Sequence, residues 1–218
     1  MRRGLVLAGA GLAIMVVGGS AVLLSGGDAP QAAQAVQASP APGDPLTADE
    51  IRRAGEIATA PSRAHMAAGR VELLYVERDD DKAQDDERRA EAYLYDYAED
   101  AVIVRTVDLS DAKIVEESKG KGVQPPPSKR EETRAAELLL ADPKLGKGVR
   151  RSYAKAAGRE LKSAADLSLR GLIFTQPAGA CHAHRCVRLF VRLPDGKFLD
   201  TSRIVIDLSA KKIHTLEW

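Results

Sequence analysis

The stretch Cys181-His182-Ala183-His184-Arg185-Cys186 holds the only two cysteines of the chain and two of its four histidines. Those residue types fit a metal centre, a redox couple or a disulfide. The spacing is not Cys-x-x-Cys, which argues against a redox couple. Zinc sites normally draw on two separated ligand pairs, and ligands packed this closely rarely reach tetrahedral positions around one ion. In an exported chain, two cysteines five positions apart can face each other across a tight turn, so a Cys181–Cys186 disulfide is expected. Such a short ring removes about 2 kcal/mol of loop-closure entropy, enough to hold a turn but not a domain. With the sulfurs bonded to each other, His182 and His184 form a weak, opportunistic site for copper or zinc. No other cofactor is expected.

Other candidate sites have simpler readings. The run Asp79, Asp80, Asp81, Asp85, Asp86 and Glu87 lacks the glycine and ligand order of a dedicated calcium loop, and reads as a solvated hairpin tip. The basic stretch "KLGKGVRRSYAK" reads as the wet face of a helix. Tyr93, Tyr95 and Tyr97 alternate along a strand, which predicts packing under a helix rather than a binding platform. The chain has no GxSxG, HExxH or P-loop motif. Its remaining histidines, His65 and His214, offer no nucleophile–base pair. A net charge of +1 and 4% aromatic residues exclude a phosphate-binding or base-stacking role, so no nucleic-acid partner is expected.

The N-terminus sets the expected compartment. "MRR" precedes an uncharged, largely apolar run from Gly4 to Leu24, the pattern of an export signal. Arg2 and Arg3 partly match the bacterial twin-arginine signal, although Met1 stands where Ser or Thr is usual. Residues 1–24 therefore read as a signal peptide or an uncleaved membrane anchor. Residues 25–45, rich in Ala, Pro, Gly and Gln, read as a disordered linker. The expected location is secreted, or anchored to the outer face of the cytoplasmic membrane.

The rest of the chain repeats itself. Thr47 with Glu50, and Ser128 with Glu131, have capping-box spacing ahead of amphipathic helices. Leu145, Val149 and Tyr153 predict a further helix that ends at Gly158. Strand patterns follow each helix: "VELLYVE", "EAYLYDY", "AVIVRTVDL" and "KIVEE" in the first half, and "LSLRGLIFT", "VRLFVRL", "RIVIDL" and "KIHTLEW" in the second. The closing segments "VDLSDAKIV" and "IDLSAKKIH" match most closely. The fold class is therefore α+β, with one helix-on-sheet unit over 46–120 and a second over 121–218.

"PLTADEIRRA", "YLYDY", "VDLSDAKIV", "GVQPP" and "EETRAAELLLADP" resemble the two small N-terminal domains of copper amine oxidases. That resemblance covers roughly residues 45 to 218 and implies tandem cystatin-like units. The family's catalytic β-sandwich has no counterpart in a chain that stops at Trp218. Its quinone-forming Asn-Tyr-Asp/Glu motif is absent too, since the sequence contains no asparagine. His182 and His184 have the His-x-His spacing of the family's copper ligands but lie in the wrong domain, so that role is not carried onto them. The cystatin-like shape also suggests a protease inhibitor, but the QxVxG loop is missing. The expected protein is an exported, non-catalytic interaction module with a protein or envelope partner. A weak metal-binding protein and an accessory subunit for a separate oxidase are the alternatives.

Overall fold

Two of the three long helices start where the sequence places a capping box. In the computed structural model, which describes residues 40–80 and 87–217, helix α1 (Ala48–Thr59) follows Thr47, whose Oγ1 accepts from the Glu50 amide at 3.2 Å. Glu50 returns the bond by accepting from the Thr47 amide at 2.8 Å. A 3-10 turn, Ala60–Ser62, links α1 to the short helix α2 (Arg63–Ala67). Helix α3 (Lys129–Ala141) repeats the box with Ser128 and Glu131, at 3.1 and 2.9 Å. Each box fills amide groups that a helix start would otherwise leave unpaired. Asp142-Pro143 interrupts α3, and helix α4 (Leu145–Ala157) ends at Gly158, whose φ of 65° suits glycine.

Four antiparallel strands follow each capped helix, paired in chain order. One sheet holds β1 (Val71–Arg78), β2 (Arg89–Asp96), β3 (Ala101–Asp108) and β4 (Lys113–Lys121). The other holds β5 (Ser168–Ile173), β6 (Cys186–Arg192), β7 (Ile204–Asp207) and β8 (Lys212–Thr215). The fold is α+β, with two four-stranded sheets. The matched closing segments form matching turns. Asp108 accepts the Ser110 and Asp111 amides, Asp207 accepts the Ala210 amide, and Ala112 and Lys211 take φ of 54° and 55°.

The two faces of the first sheet have different neighbours, as a two-residue period requires. Ala90, Ala92 and Leu94 face α1 and pack with Ala54 and Ala58. The approach is close: a Cβ on Gly55 would lie 3.1 Å from Leu73. Tyr95 and Tyr97 point to the opposite face and join one core with Ala136 and Leu139 of α3 and Leu189 of β6. The tyrosines therefore pack as expected but not beneath their own helix: they alternate with Ala90, Ala92 and Leu94, which take the α1 face. They meet the second half instead.

The export segment, with Arg2, Arg3 and Gly4 to Leu24, lies outside the described residues, as does the linker up to residue 39 and the acidic run from 81 to 86. The last linker residues are held in place. Arg88 Nη1 donates to the carbonyls of Ala41, Pro42 and Asp44, and its Nη2 donates to that of Pro45. No helix among the described residues is long and apolar enough to cross a membrane.

Candidate functional site

The disulfide forms between Cys181, in a 3-10 turn (Ala180–His182), and Cys186, the first residue of β6, with Cα atoms 5.6 Å apart. It staples the loop that links β5 to β6. Strand alternation then sends the residues just before Cys186 to opposite sides. Arg185 turns into the core between the sheets, while His184 turns to the outer face of the second sheet.

Arg185 is fully buried, and each of its five N–H donors has an acceptor. Nε and Nη2 form a bidentate pair with Glu131, both at 2.8 Å. Nη1 donates to Gln124 Oε1 and to the Pro125 carbonyl, and Nη2 also reaches the Pro126 carbonyl. The guanidinium lies 4.9 Å from the centre of the Tyr95 ring, and Tyr97 donates its hydroxyl to Glu131 at 2.8 Å. Burial beside the Glu131 charge pushes the Tyr97 phenol well above its ordinary value, so it remains a donor. One arginine thus ties together the α3 cap, the proline linker and the first sheet. A buried ion pair is stable only with this degree of satisfaction.

The first half contains the same clamp. Arg88, one residue before β2 as Arg185 is before β6, pairs bidentately with the capping-box acid Glu50, again at 2.8 Å on both oxygens. It too gathers the carbonyls of the proline-containing segment ahead of its helix. This pair lies nearer solvent. The Arg88 hydrogen bond is the largest cause holding the Glu50 carboxyl down to about 2.

Neither Arg185 nor Glu131 is among the residues that point to chemistry in the sequence. Comparing the repeats could have found them. With the second strands of the two halves aligned, an arginine precedes each, and a glutamate fills the third helical position of each box.

His184 and His182 have different surroundings. His184 Nδ1 lies 2.7 Å from Oδ2 of the fully buried Asp207, which raises the imidazole above its ordinary value. His214 Nε2 lies 3.6 Å from the same oxygen, beyond hydrogen-bonding distance. His182 is exposed. Among the described residues, no three His, Cys, Asp or Glu side chains converge to hold a metal ion.

The outer face of the second sheet is covered over one half and bare over the other. The stapled loop covers the β7–β8 side with a small cluster of Cys181, Cys186 and Val205, flanked by Phe174 and Leu216. Arg188 marks the border, its guanidinium 4.6 Å from the centre of the Phe174 ring. Beyond it, the register pairs Leu172 with Arg188, Arg170 with Phe190, and Ser168 with Arg192. All six side chains point outward, because the intervening Val187, Leu189 and Val191 point into the core. Phe198 joins this face through its bridge to Arg192. Leu172, Phe190 and Phe198 are 57%, 43% and 64% exposed. An open cavity of about 500 Å³ lies between Phe190 and Phe198, with Arg188 and Asp200 in its wall. Three large apolar side chains are thus exposed on one face, interleaved with Arg170, Arg188 and Arg192.

These observations define an α+β protein of two four-stranded antiparallel sheets, compatible with tandem small domains. No protein-family model matches the chain, and no curated protein does. Among solved structures the chain is similar to a copper-containing benzylamine oxidase from Hansenula polymorpha, at 12% identity and a TM-score of 0.48. The alignment covers 81% of this chain and 30% of that one, so the chain spans under a third of the oxidase's length.

Proposed function

We propose that the chain is an exported, non-catalytic interaction module built from two cystatin-like units. It engages its partner through the bare half of the second sheet's outer face. The exposure of Leu172, Phe190 and Phe198 on one face carries this reading. A sheet face left in water is usually polar, and here the apolar side chains lie together. The sequence resemblance to the N-terminal units of copper amine oxidases supports the tandem arrangement, and the Cys181–Cys186 disulfide supports an oxidising compartment. The metal reading through His182 and His184 stands second: Asp207 engages only Nδ1 of His184, as a carboxylate does behind a metal-binding imidazole, but no three ligand side chains converge there among the described residues.

A photo-crosslinking amino acid in place of Phe198, expressed in the native host, tests the reading. A discrete adduct from position 198, and none from the exposed helical position Lys147, is the expected result. Equal labelling at both positions, or none at either, would remove the proposed face.

A further inference from the structure

Resting on that interaction reading, we infer that the partner presents an acidic segment in which carboxylates flank a large apolar side chain. Arg170, Arg188 and Arg192 stand on the face beside Leu172 and Phe190. None of the three has a carboxylate partner among the described residues, whereas Arg70, Arg88, Arg105 and Arg185 all do. Arg188 also keeps Nε buried without an acceptor while its plane stacks on Phe174. An arginine held flat in this way presents a fixed fork of donors that suits a carboxylate. The one carboxylate in the cavity wall, Asp200, is engaged by the Ser202 hydroxyl and amide of its own turn. The face is therefore cationic, and it is apolar where the cavity opens.

Charge complementarity selects the occupant. A second copy docked through the same face would set Arg170, Arg188 and Arg192 against the same three guanidiniums, a repulsive arrangement. A bilayer is flat, whereas the space between Phe190 and Phe198 is concave and of a size that admits a large side chain. A protein segment with a phenylalanine or leucine for the cavity, and glutamates or aspartates for the arginines, satisfies both features. The apolar side chain would act as the anchor and the ion pairs would set register.

The probe is a short capped peptide with glutamates on both sides of a phenylalanine, titrated into the full-length, isotope-labelled chain. Saturable amide shifts confined to β5, β6 and residues 198–202 are expected. Binding should weaken ~10-fold or more with Phe198→Ser, with Arg188→Gln, and when lysines replace the peptide's glutamates. Arg170→Gln, at an exposed position, serves in place of Arg188→Gln should that change loosen the Phe174 stack. Raising the salt should weaken binding further.

Equal binding of the lysine peptide would overturn the inference, as would shifts centred elsewhere. So would sedimentation with phosphatidylglycerol vesicles that depends on Phe198, or a dimer abolished by Phe198→Ser. Crosslinks from position 198 to a partner without acidic segments would defeat this inference and leave the interaction module standing. Absence of those crosslinks would remove the module itself.

Discussion

Arg88 and Arg185 make the same bonds in two different settings. Each pairs bidentately with a capping-box glutamate and collects the carbonyls of the segment leading into its helix. Arg88 keeps 11% of its side chain exposed, whereas Arg185 keeps none, because the first half's tyrosines cover it. The surroundings diverge too. Where the first half has Arg89 opposite Asp108, the second has Cys186 opposite Asp207, with its disulfide and with His184 on the carboxylate. The clamp is the common part of the repeat. Its burial turns the second copy into the joint between sheets, and the stapled loop leaves half of one face bare.

The largest expected effect breaks the comparison at the clamp. Arg185→Ala strands the buried Glu131 charge and should cost about 3–5 kcal/mol in urea unfolding. Arg88→Ala loses similar bonds nearer water and should cost less, about 1.5–3 kcal/mol. Equal losses would mean that burial does not separate the two copies.

Gly171→Ala probes how tightly the second sheet meets the α3 cap. A Cβ there would lie 2.9 Å from Pro127 Cγ and 3.0 Å from Glu132 Cγ, and the chain should lose about 1–3 kcal/mol. Replacing both Cys181 and Cys186 by serine should cost about 2 kcal/mol and shift amide resonances around β6 while leaving those of the first sheet in place.

The pH dependences contributed by Glu50 and His184 should have opposite signs. Glu50 is held below its ordinary 4.5 at about 2, so its contribution is full above pH 4.5 and fades as the pH falls towards 2. Arg88→Gln should flatten that part of the acid limb of a stability curve. His184 is raised by Asp207, so its contribution is full below its ordinary 6.5 and fades as the pH rises through the higher folded value. His184→Gln should remove that alkaline loss. The smallest effect belongs to Phe198→Ser, which should change stability by less than about 0.5 kcal/mol while impairing binding.

Much of the fold was legible because it is written locally. Capping boxes, a proline stop and two-residue alternation each depend on neighbours in sequence, and the three longer helices and all eight strands lie where those signals predict. The disulfide was legible from residue type and spacing. The joint was not. Arg185 and Glu131 lie far apart in the chain, and an arginine beside two histidines and two cysteines draws the eye to metal chemistry. Its role depends on Tyr95 and Tyr97 facing away from α1, which follows from the small residues Ala90 and Ala92 on the other parity. The exposed apolar side chains of the second sheet were hidden for a related reason. Leu172 and Phe190 sit in strands that read as core, and only the loop that covers half the sheet determines which apolar residues are left outside.

Arg185 should bind the two halves into one cooperative structure. That coupling is tested most directly by urea unfolding of the native chain and of Arg185→Met, followed residue by residue through amide resonances in both sheets. The account predicts a single coincident midpoint for β2 and β6 in the native chain, and separated midpoints once Arg185 is replaced. Separate midpoints in the native chain, or coincident ones in the variant, would contradict it.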